Sequence, residues 1–92
     1  MTIATHRPLD VDILGLIAAE FDRAYAKHDG RTPRSHSVGD QESLVVLVEE
    51  VGEVARAMTY DEGDQEQLAA ELIQVAAMSA AWAERILIRG DR

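Results

Sequence analysis

The stretch from Ser37 or Asp40 to Tyr60 carries apolar residues at helical spacing on more than one side, and this pattern limits the possible folds more than any other. The main apolar stripe of this second predicted helix consists of Leu44, Leu47, Val48, Val51, Val54, Ala55 and Met58. A surface helix is normally polar on its opposite side, but Val46 and Ala57 lie outside the stripe. We therefore expect the second face of this helix to line a pocket or an interface.

The first predicted helix runs from about Leu9 to His28. Its apolar face consists of Ile13, Leu14, Ile17, Phe21, Ala24 and Tyr25. Asp10 is in position to cap the start of the helix, and Asp29 followed by Gly30 is a stop signal because glycine readily adopts the left-handed conformation. The segment that follows, RTPRSHSVG, is rich in turn formers and has no periodicity, so it is predicted to be a loop.

The third predicted helix begins after Asp64 and continues to about Arg89. Asp64 followed by Gln67 is typical of a capping box. Its main stripe consists of Leu68, Leu72, Val75, Ser79, Trp82 and Ile86, and its second face of Ala69, Ile73, Ala76, Ala77 and Ala80. Burying both faces predicts a bundle of more than three helices. The connection around Glu62 and Gly63 is short, so the second and third helices are expected to form a long antiparallel hairpin.

Length and composition define the class of protein. We expect residues 1–92 to form one all-α domain of three helices, which completes a four-helix-type bundle by self-association because so short a chain buries only about 60–65% of its unfolded surface. The absence of cysteine excludes disulfides and a cysteine nucleophile. A net charge of −8 argues against polynucleotide binding. No apolar run approaches the roughly 20 residues that cross a bilayer, and the start lacks a secretory signal, so no membrane contact and a cytoplasmic location are expected.

Four glutamates on the second and third helices suggest chemistry. Glu50 and Glu53 lie one turn apart, and Glu49 lies one turn below Glu53. In an antiparallel hairpin that turns at Gly63, Glu53 comes roughly level with Glu71. Like charges at such spacing repel and destabilise the helix. A hard divalent cation such as Mg²⁺, Mn²⁺ or Ca²⁺ bound between them would turn this repulsion into a net stabilisation. The alternative interpretation is a solvated acidic face, in which Glu71 is favoured by the helix dipole.

The order of these acids resembles the signature of the MazG-like, all-α nucleoside triphosphate pyrophosphohydrolases, in which EExxE precedes ExxD. Glu49, Glu50 and Glu53 stand in the first motif, within LVEEVGEVARA, and Glu71 and Gln74 stand in the second, within LAAELIQVAA. The similarity covers roughly residues 41–82. It implies a self-associating helical bundle, a homodimer or higher homo-oligomer, that uses Mg²⁺, or Mn²⁺ in its place, to hydrolyse nucleoside triphosphates to monophosphate and pyrophosphate.

The resemblance also implies a role for each acid. Glu50, Glu53 and Glu71 are expected to bind the metal, and Glu49 to serve a second metal position or the attacking water, so Glu49 and Glu50 are the expected catalytic residues. Gln74 takes the place of the family's aspartate, and its amide oxygen ligates a hard cation without supplying charge. This departure favours the alternative of a catalytically weak or silent helical module that binds nucleotide or a protein partner.

The only basic cluster, Arg31, Arg34 and His36, lies in the loop before the second helix. These side chains are candidates for contact with the phosphate or ribose of a nucleotide, and the alternative is a solvated loop. Trp82 stands at core spacing and is expected to be a packing residue. Arg85 is expected to form a surface ion pair with a neighbouring acid.

Overall fold

The part of the chain that the structure describes folds into three α-helices. The structure is a computed structural model, and it describes residues 6–59 and 64–88. The helices are α1 (Val11–Lys27), α2 (Asp40–Thr59) and α3 (Gln65–Leu87). The described residues contain no strand, which confirms the all-α class. The predicted helix ends at Tyr60 and Arg89 and the turn at Glu62 and Gly63 lie outside the described residues. None of the helices, as far as they are described, has an apolar stretch long enough to span a bilayer.

The ends of α1 are fixed by the capping residues that the sequence predicts. Asp10 Oδ1 accepts a hydrogen bond of 2.7 Å from the backbone N–H of Asp12. At the other end, Asp29 and Gly30 have φ values of 54° and 81°, and the Gly30 N–H donates to the Tyr25 carbonyl at 2.8 Å. A Cβ on Gly30 would lie 3.2 Å from the Tyr25 ring. Both the backbone conformation and the space therefore favour glycine at this position.

The central helix is α3, which packs against both other helices. The backbones of α1 and α2 stay more than 8 Å apart. The core between the helices consists of Ala24, Ala77 and Met78, with Ile17, Phe21 and Val46 packed against it. Because only α3 contacts both neighbours, a cleft opens between α1 and α2, and α3 forms its floor.

The start of α2 is tied to the end of α3 through Asp40. Asp40 Oδ1 accepts hydrogen bonds from Trp82 Nε1 at 2.9 Å and from Arg85 Nη2 at 2.6 Å, and these bonds lower the pKa of the Asp40 carboxyl, the Trp82 bond most. Arg85 Nε also donates to the Pro33 carbonyl at 2.8 Å. The two helices are therefore antiparallel, as predicted. Arg85, which was expected to form a surface pair, is only 15% exposed and holds the loop before α2 in place.

The face of α2 that packs against α3 is not the face richest in apolar residues. The buried and half-buried positions of α2 are Ser43, Val46, Leu47, Glu50, Val54 and Ala57. Leu44, Val48, Val51 and Met58 of the predicted stripe are instead half exposed or more. The second face of α2, on which Val46 and Ala57 lie, is therefore the buried one, and Val46 lines the cleft as expected, whereas most of the predicted main stripe is exposed. The reason is that α2 has a single helical neighbour, and the small side chains of Ser43 and Ala57 allow that neighbour to approach closely.

Candidate functional site

Glu50 lines the cleft from α2 and is half-buried. Its Oε1 atom is buried and has no hydrogen-bond partner in the described structure. Burial raises the pKa of the Glu50 carboxyl, and the negative charges of Glu71, Glu20 and Glu53 raise it further, in that order, against a smaller opposing effect of Arg23. The negative charge around Glu50 is therefore only partly neutralised by the basic side chains near it.

Glu71 is buried on α3, with only 8% of the residue exposed. Its Oε2 atom accepts a 2.6 Å hydrogen bond from Gln67 Nε2, while Oε1 is buried without a partner in the described structure. Asp64 caps the helix as predicted, because its Oδ1 accepts from the backbone N–H groups of Glu66 and Gln67. Burial removes the alternative of a solvated first-turn acid for Glu71. Half-buried Glu50 and buried Glu71 thus each have one buried carboxylate oxygen without a hydrogen-bond partner in the described structure.

Glu49 and Glu53 lie on the outside of α2 and are exposed. Together with Glu50, they line a shallow depression on the surface, which Gly52 and Arg56 complete. Glu50 therefore lies between two groups, with the exposed pair on one side and buried Glu71 on the other. The four glutamates are neighbours, but they do not converge on one point as the sequence had suggested.

The cleft between α1 and α2 encloses about 460 Å³, a volume in the range of small-molecule sites. Gln74 and Met78 of α3 form its floor, and Glu50 and Val46 line it from α2. Gln74 is half-buried and lines the same cleft as Glu50. The residue that departs from the ExxD pattern therefore belongs to the cleft.

Basic side chains line the rest of the cleft. Arg23 forms a two-point ion pair with Glu20, at 2.9 and 2.6 Å, and this contact raises the pKa of the Arg23 guanidinium. Arg31 binds both carboxylate oxygens of Glu42 at 2.8 Å. Lys27 has no ion-pair partner among the described residues. Glu20 and Glu42 also line the cleft, so Lys27 is the cation of the lining whose charge is not neutralised by such a pair, and it suits a ligand that carries phosphate groups.

The structure divides the predicted basic cluster. Arg31 borders the cleft, but Arg34 and His36 face a separate depression that Tyr25 and Glu84 also line. The Arg34 guanidinium lies 4.4 Å from the centre of the Phe21 ring, and it is 4.0 Å from Glu84. Of the three candidates for contact with a phosphate or ribose, Arg31 therefore lines the cleft, while Arg34 and His36 lie beside a different depression. The turns of the loop send their side chains to the opposite side of α1.

Sequence reasoning missed the contribution of α1 to the cleft. Glu20, Arg23 and Lys27 all line it. A signal was present for Glu20, since it follows Ile17 by three residues and precedes Ala24 by four, which places it on the buried face of α1. The angle between α1 and α2, which decides whether that face meets Glu50, has no comparable sequence signal.

The acidic residues suit a hard divalent cation in their chemistry. Glu50 and Glu71 offer two buried oxygens without partners, and Mg²⁺ commonly binds one or two carboxylates while water and phosphate oxygens complete its shell. Among residues 6–59 and 64–88, no group of three or more acidic or histidine side chains is positioned as a complete metal site. Glu50, Glu71 and Gln74 therefore offer oxygens of the type that a hard cation binds, without forming a complete ligand set among the described residues.

Comparison with known proteins adds no family to this description. No family model matches the chain, and neither a curated protein nor a solved structure matches it. The arguments for a function therefore come from the residues of the cleft and from the order of the acidic motifs.

Proposed function

We propose that this protein is a magnesium-dependent hydrolase of the MazG-like type, which cleaves nucleoside triphosphates to monophosphate and pyrophosphate. The observation that carries the proposal is the pair of neighbouring carboxylates, half-buried Glu50 and buried Glu71, each with a buried oxygen that has no hydrogen-bond partner in the described structure; Glu50 lines a cleft of about 460 Å³. Like charges placed together away from water are costly unless a cation neutralises them. Lys27, which lines the cleft without an ion-pair partner among the described residues, supports a phosphorylated ligand.

Each residue has a defined role in this proposal. Glu50 and Glu71 hold the metal, Gln74 contributes a neutral oxygen, and Glu53 lies outside as a further ligand. A bound Mg²⁺ would neutralise charge on the phosphate oxygens and lower the pKa of a bound water. Glu49, exposed beside Glu50, orients or deprotonates the attacking water.

Lys27, Arg23 and Arg31 neutralise the far end of the triphosphate or contact the sugar. Lys27 is the strongest candidate, because it has no ion pair to break among the described residues. The other two are already paired with Glu20 and Glu42, so they bind an incoming phosphate only by sharing or exchanging those partners. The expected partners are a nucleoside triphosphate and further copies of the chain, and the proposed compartment is the cytoplasm, where both Mg²⁺ and nucleotides are present.

Pyrophosphate release from a panel of nucleoside triphosphates with MgCl₂ tests the proposal. The variants Glu50→Gln and Glu71→Gln remove one charge each without changing shape. We expect the rate to fall by about 100-fold or more, since a bound metal supplies several kcal/mol of transition-state stabilisation. Glu66→Gln is the matched control, because Glu66 is an exposed acid at the start of α3. Equal rates in all three variants would refute the assigned site.

A second candidate function is favoured by Gln74, which leaves the motif one charge short. In this alternative the protein is a catalytically silent module that binds nucleotide or a protein partner. Nucleotide binding without turnover, even with Mn²⁺, would select it. The variant Gln74→Asp tests whether the rest of the site can support hydrolysis. A gain of pyrophosphate release in this variant would show that the remaining residues are competent for the reaction.

A further inference from the structure

Glu20 is the acidic side chain that α1 contributes to the cleft. Its side chain is only 14% exposed, and it lines the cleft together with Glu50 and Gln74. Glu20 and Gln74 also line a second groove, which lies between α1 and α3. Because the same two residues border both cavities, they lie at the place where α1 packs against α3. Glu20 therefore stands beside the position that departs from the ExxD pattern.

Carboxylates from all three helices come close together at this end of the cleft. Burial raises the pKa of the Glu50 carboxyl, and the negative charges of Glu71 on α3 and then of Glu20 on α1 raise it further. Glu71 is 8% exposed, and its Oε1 atom is buried without a hydrogen-bond partner in the described structure. A buried carboxylate oxygen without a partner is costly, so this end of the cleft favours a bound cation.

Gln74 leaves the acidic residues of α3 one charge short of the ExxD pattern. A glutamine amide offers an oxygen without negative charge, and its nitrogen is a hydrogen-bond donor that does not bind a cation. The affinity of a site for a hard cation depends on the number of charged ligands. A carboxylate that reaches the same place from another helix would restore the charge that Gln74 lacks. Glu20 is the carboxylate in that position.

We propose that Glu20 supplies, from α1, the negative charge that Gln74 does not supply from α3, as an additional ligand of the cation. This inference rests on the proposed function, because it takes a divalent cation at Glu50 and Glu71 as given. It adds to that function a ligand from outside the two acidic motifs. The affinity of the site for the cation then depends on all three helices.

Arg23, one turn further along α1, binds Glu20 in this structure. Arg23 Nε and Nη2 donate to the Glu20 carboxylate at 2.9 and 2.6 Å. The Arg23 side chain is 51% exposed, and an ion pair with an exposed partner adds little to stability. A divalent cation therefore displaces Arg23 from Glu20 at low cost. The released guanidinium still borders the cleft, where it is free to bind a phosphate group.

Binding of Mn²⁺ to the nucleotide-free protein tests the proposal, because it probes the site without hydrolysis. Free Mn²⁺ is followed by electron paramagnetic resonance. Glu20→Gln should weaken binding by about tenfold or more, since loss of even an indirect partner of a metal site commonly costs that much. Asp22→Asn is the matched control, because Asp22 is exposed on the same helix and lines a different groove. At physiological salt its loss should change the affinity by less than about twofold.

Moving the charge from α1 to α3 gives the sharper test. The double variant Glu20→Gln, Gln74→Asp has as many carboxylates at the site as the native protein, so its Mn²⁺ affinity should return to within about threefold of the native value. Arg23→Gln keeps Glu20 and removes its competing partner, so it should tighten Mn²⁺ binding by about two- to fivefold. This gain should disappear when Glu20 is also replaced, whereas a general effect of charge would persist.

The possible results separate this inference from the proposed function. Circular dichroism checks that each variant is folded, and Arg23→Gln gives an independent result should Glu20→Gln unfold. Equal Mn²⁺ affinities of Glu20→Gln and Asp22→Asn would overturn the role of Glu20, and so would a double variant that binds as weakly as Glu20→Gln. If Glu50→Gln weakens Mn²⁺ binding and Glu20→Gln does not, this inference alone fails. A native protein that binds no Mn²⁺ would overturn the proposed metal site itself, and the role of Glu20 with it.

Discussion

Replacing Glu50 by glutamine should stabilise the metal-free protein and, under the proposed function, abolish pyrophosphate release. Glutamine has the shape of glutamate, so the packing against α3 is kept, but the half-buried negative charge that Glu71 and Glu20 repel is removed. Two unit charges roughly 4 Å apart repel by about 4 kcal/mol at an effective dielectric constant of 20, and the repulsion falls as the distance grows. Partial exposure of Glu50 and the opposing charge of Arg23 reduce this to a net gain of about 1 kcal/mol.

A gain of about 1 kcal/mol corresponds to a rise in Tm of about 4–8 °C for a domain of this size. The assay is thermal unfolding followed by circular dichroism at neutral pH, low salt and fixed protein concentration, with EDTA present. Glu49→Gln is the control, because Glu49 is exposed and its removal should leave Tm nearly unchanged. Adding Mg²⁺ should raise the Tm of the native protein and that of Glu50→Gln much less. A lower Tm for Glu50→Gln in EDTA would refute the idea that Glu50 is held against charge repulsion.

Three further predictions concern pH, the α2–α3 tie and the cleft. The pKa of the Glu50 carboxyl is higher in the folded protein than in the unfolded chain, so protonation of Glu50 favours the folded state. The Tm of the metal-free protein should therefore rise as pH falls from 7 toward the usual glutamate pKa. This rise should be shallower in Glu50→Gln, which lacks the carboxyl. Arg85→Ala should lower the free energy of unfolding by about 1–3 kcal/mol in urea titrations, since it removes the bonds to Asp40 and to the Pro33 carbonyl. Lys27→Ala should weaken nucleotide binding by about tenfold in calorimetry, whereas Arg7→Ala, an exposed position before α1, should not; equal affinities would remove Lys27 from the ligand site.

The helices could be predicted from sequence because their signals are local. Asp10, Asp64 and the Asp29-Gly30 pair act within a few residues of their own positions, and each does in the structure what its type and spacing predict. The short connection between α2 and α3 was enough to predict an antiparallel hairpin, which the contact of Asp40 with Trp82 confirms. Local rules suffice for the helix ends because each capping contact joins residues close together along the chain; the contact of Asp40 with Trp82, 42 positions apart, follows from the short connection that folds α3 back along α2.

The cleft could be predicted only in part, because it depends on how far α1 stands from α2. The repeating spacing of Glu50 and Glu71 relative to the apolar positions identified both as inward-facing candidates. No spacing rule says that Glu20 approaches Glu50 from a third helix, or that Arg34 stacks on Phe21 and turns away from Arg31. These contacts are set by a helix-crossing angle and by a loop of irregular turns, neither of which has a periodic signature.

The orientation of α2 decides which of its side chains reach the cleft. Leu44, Val48, Val51 and Met58 are half exposed or more, whereas Val46 and Glu50 lie on the half-buried side and line the cleft. Ser43 and Ala57 on this side are each only 1% exposed, and their small size allows α3 to approach closely. A rotation of α2 that turned the exposed apolar residues inward would lose this close contact and would expose Val46. The position of Glu50 in the cleft is therefore a consequence of how α2 packs on α3.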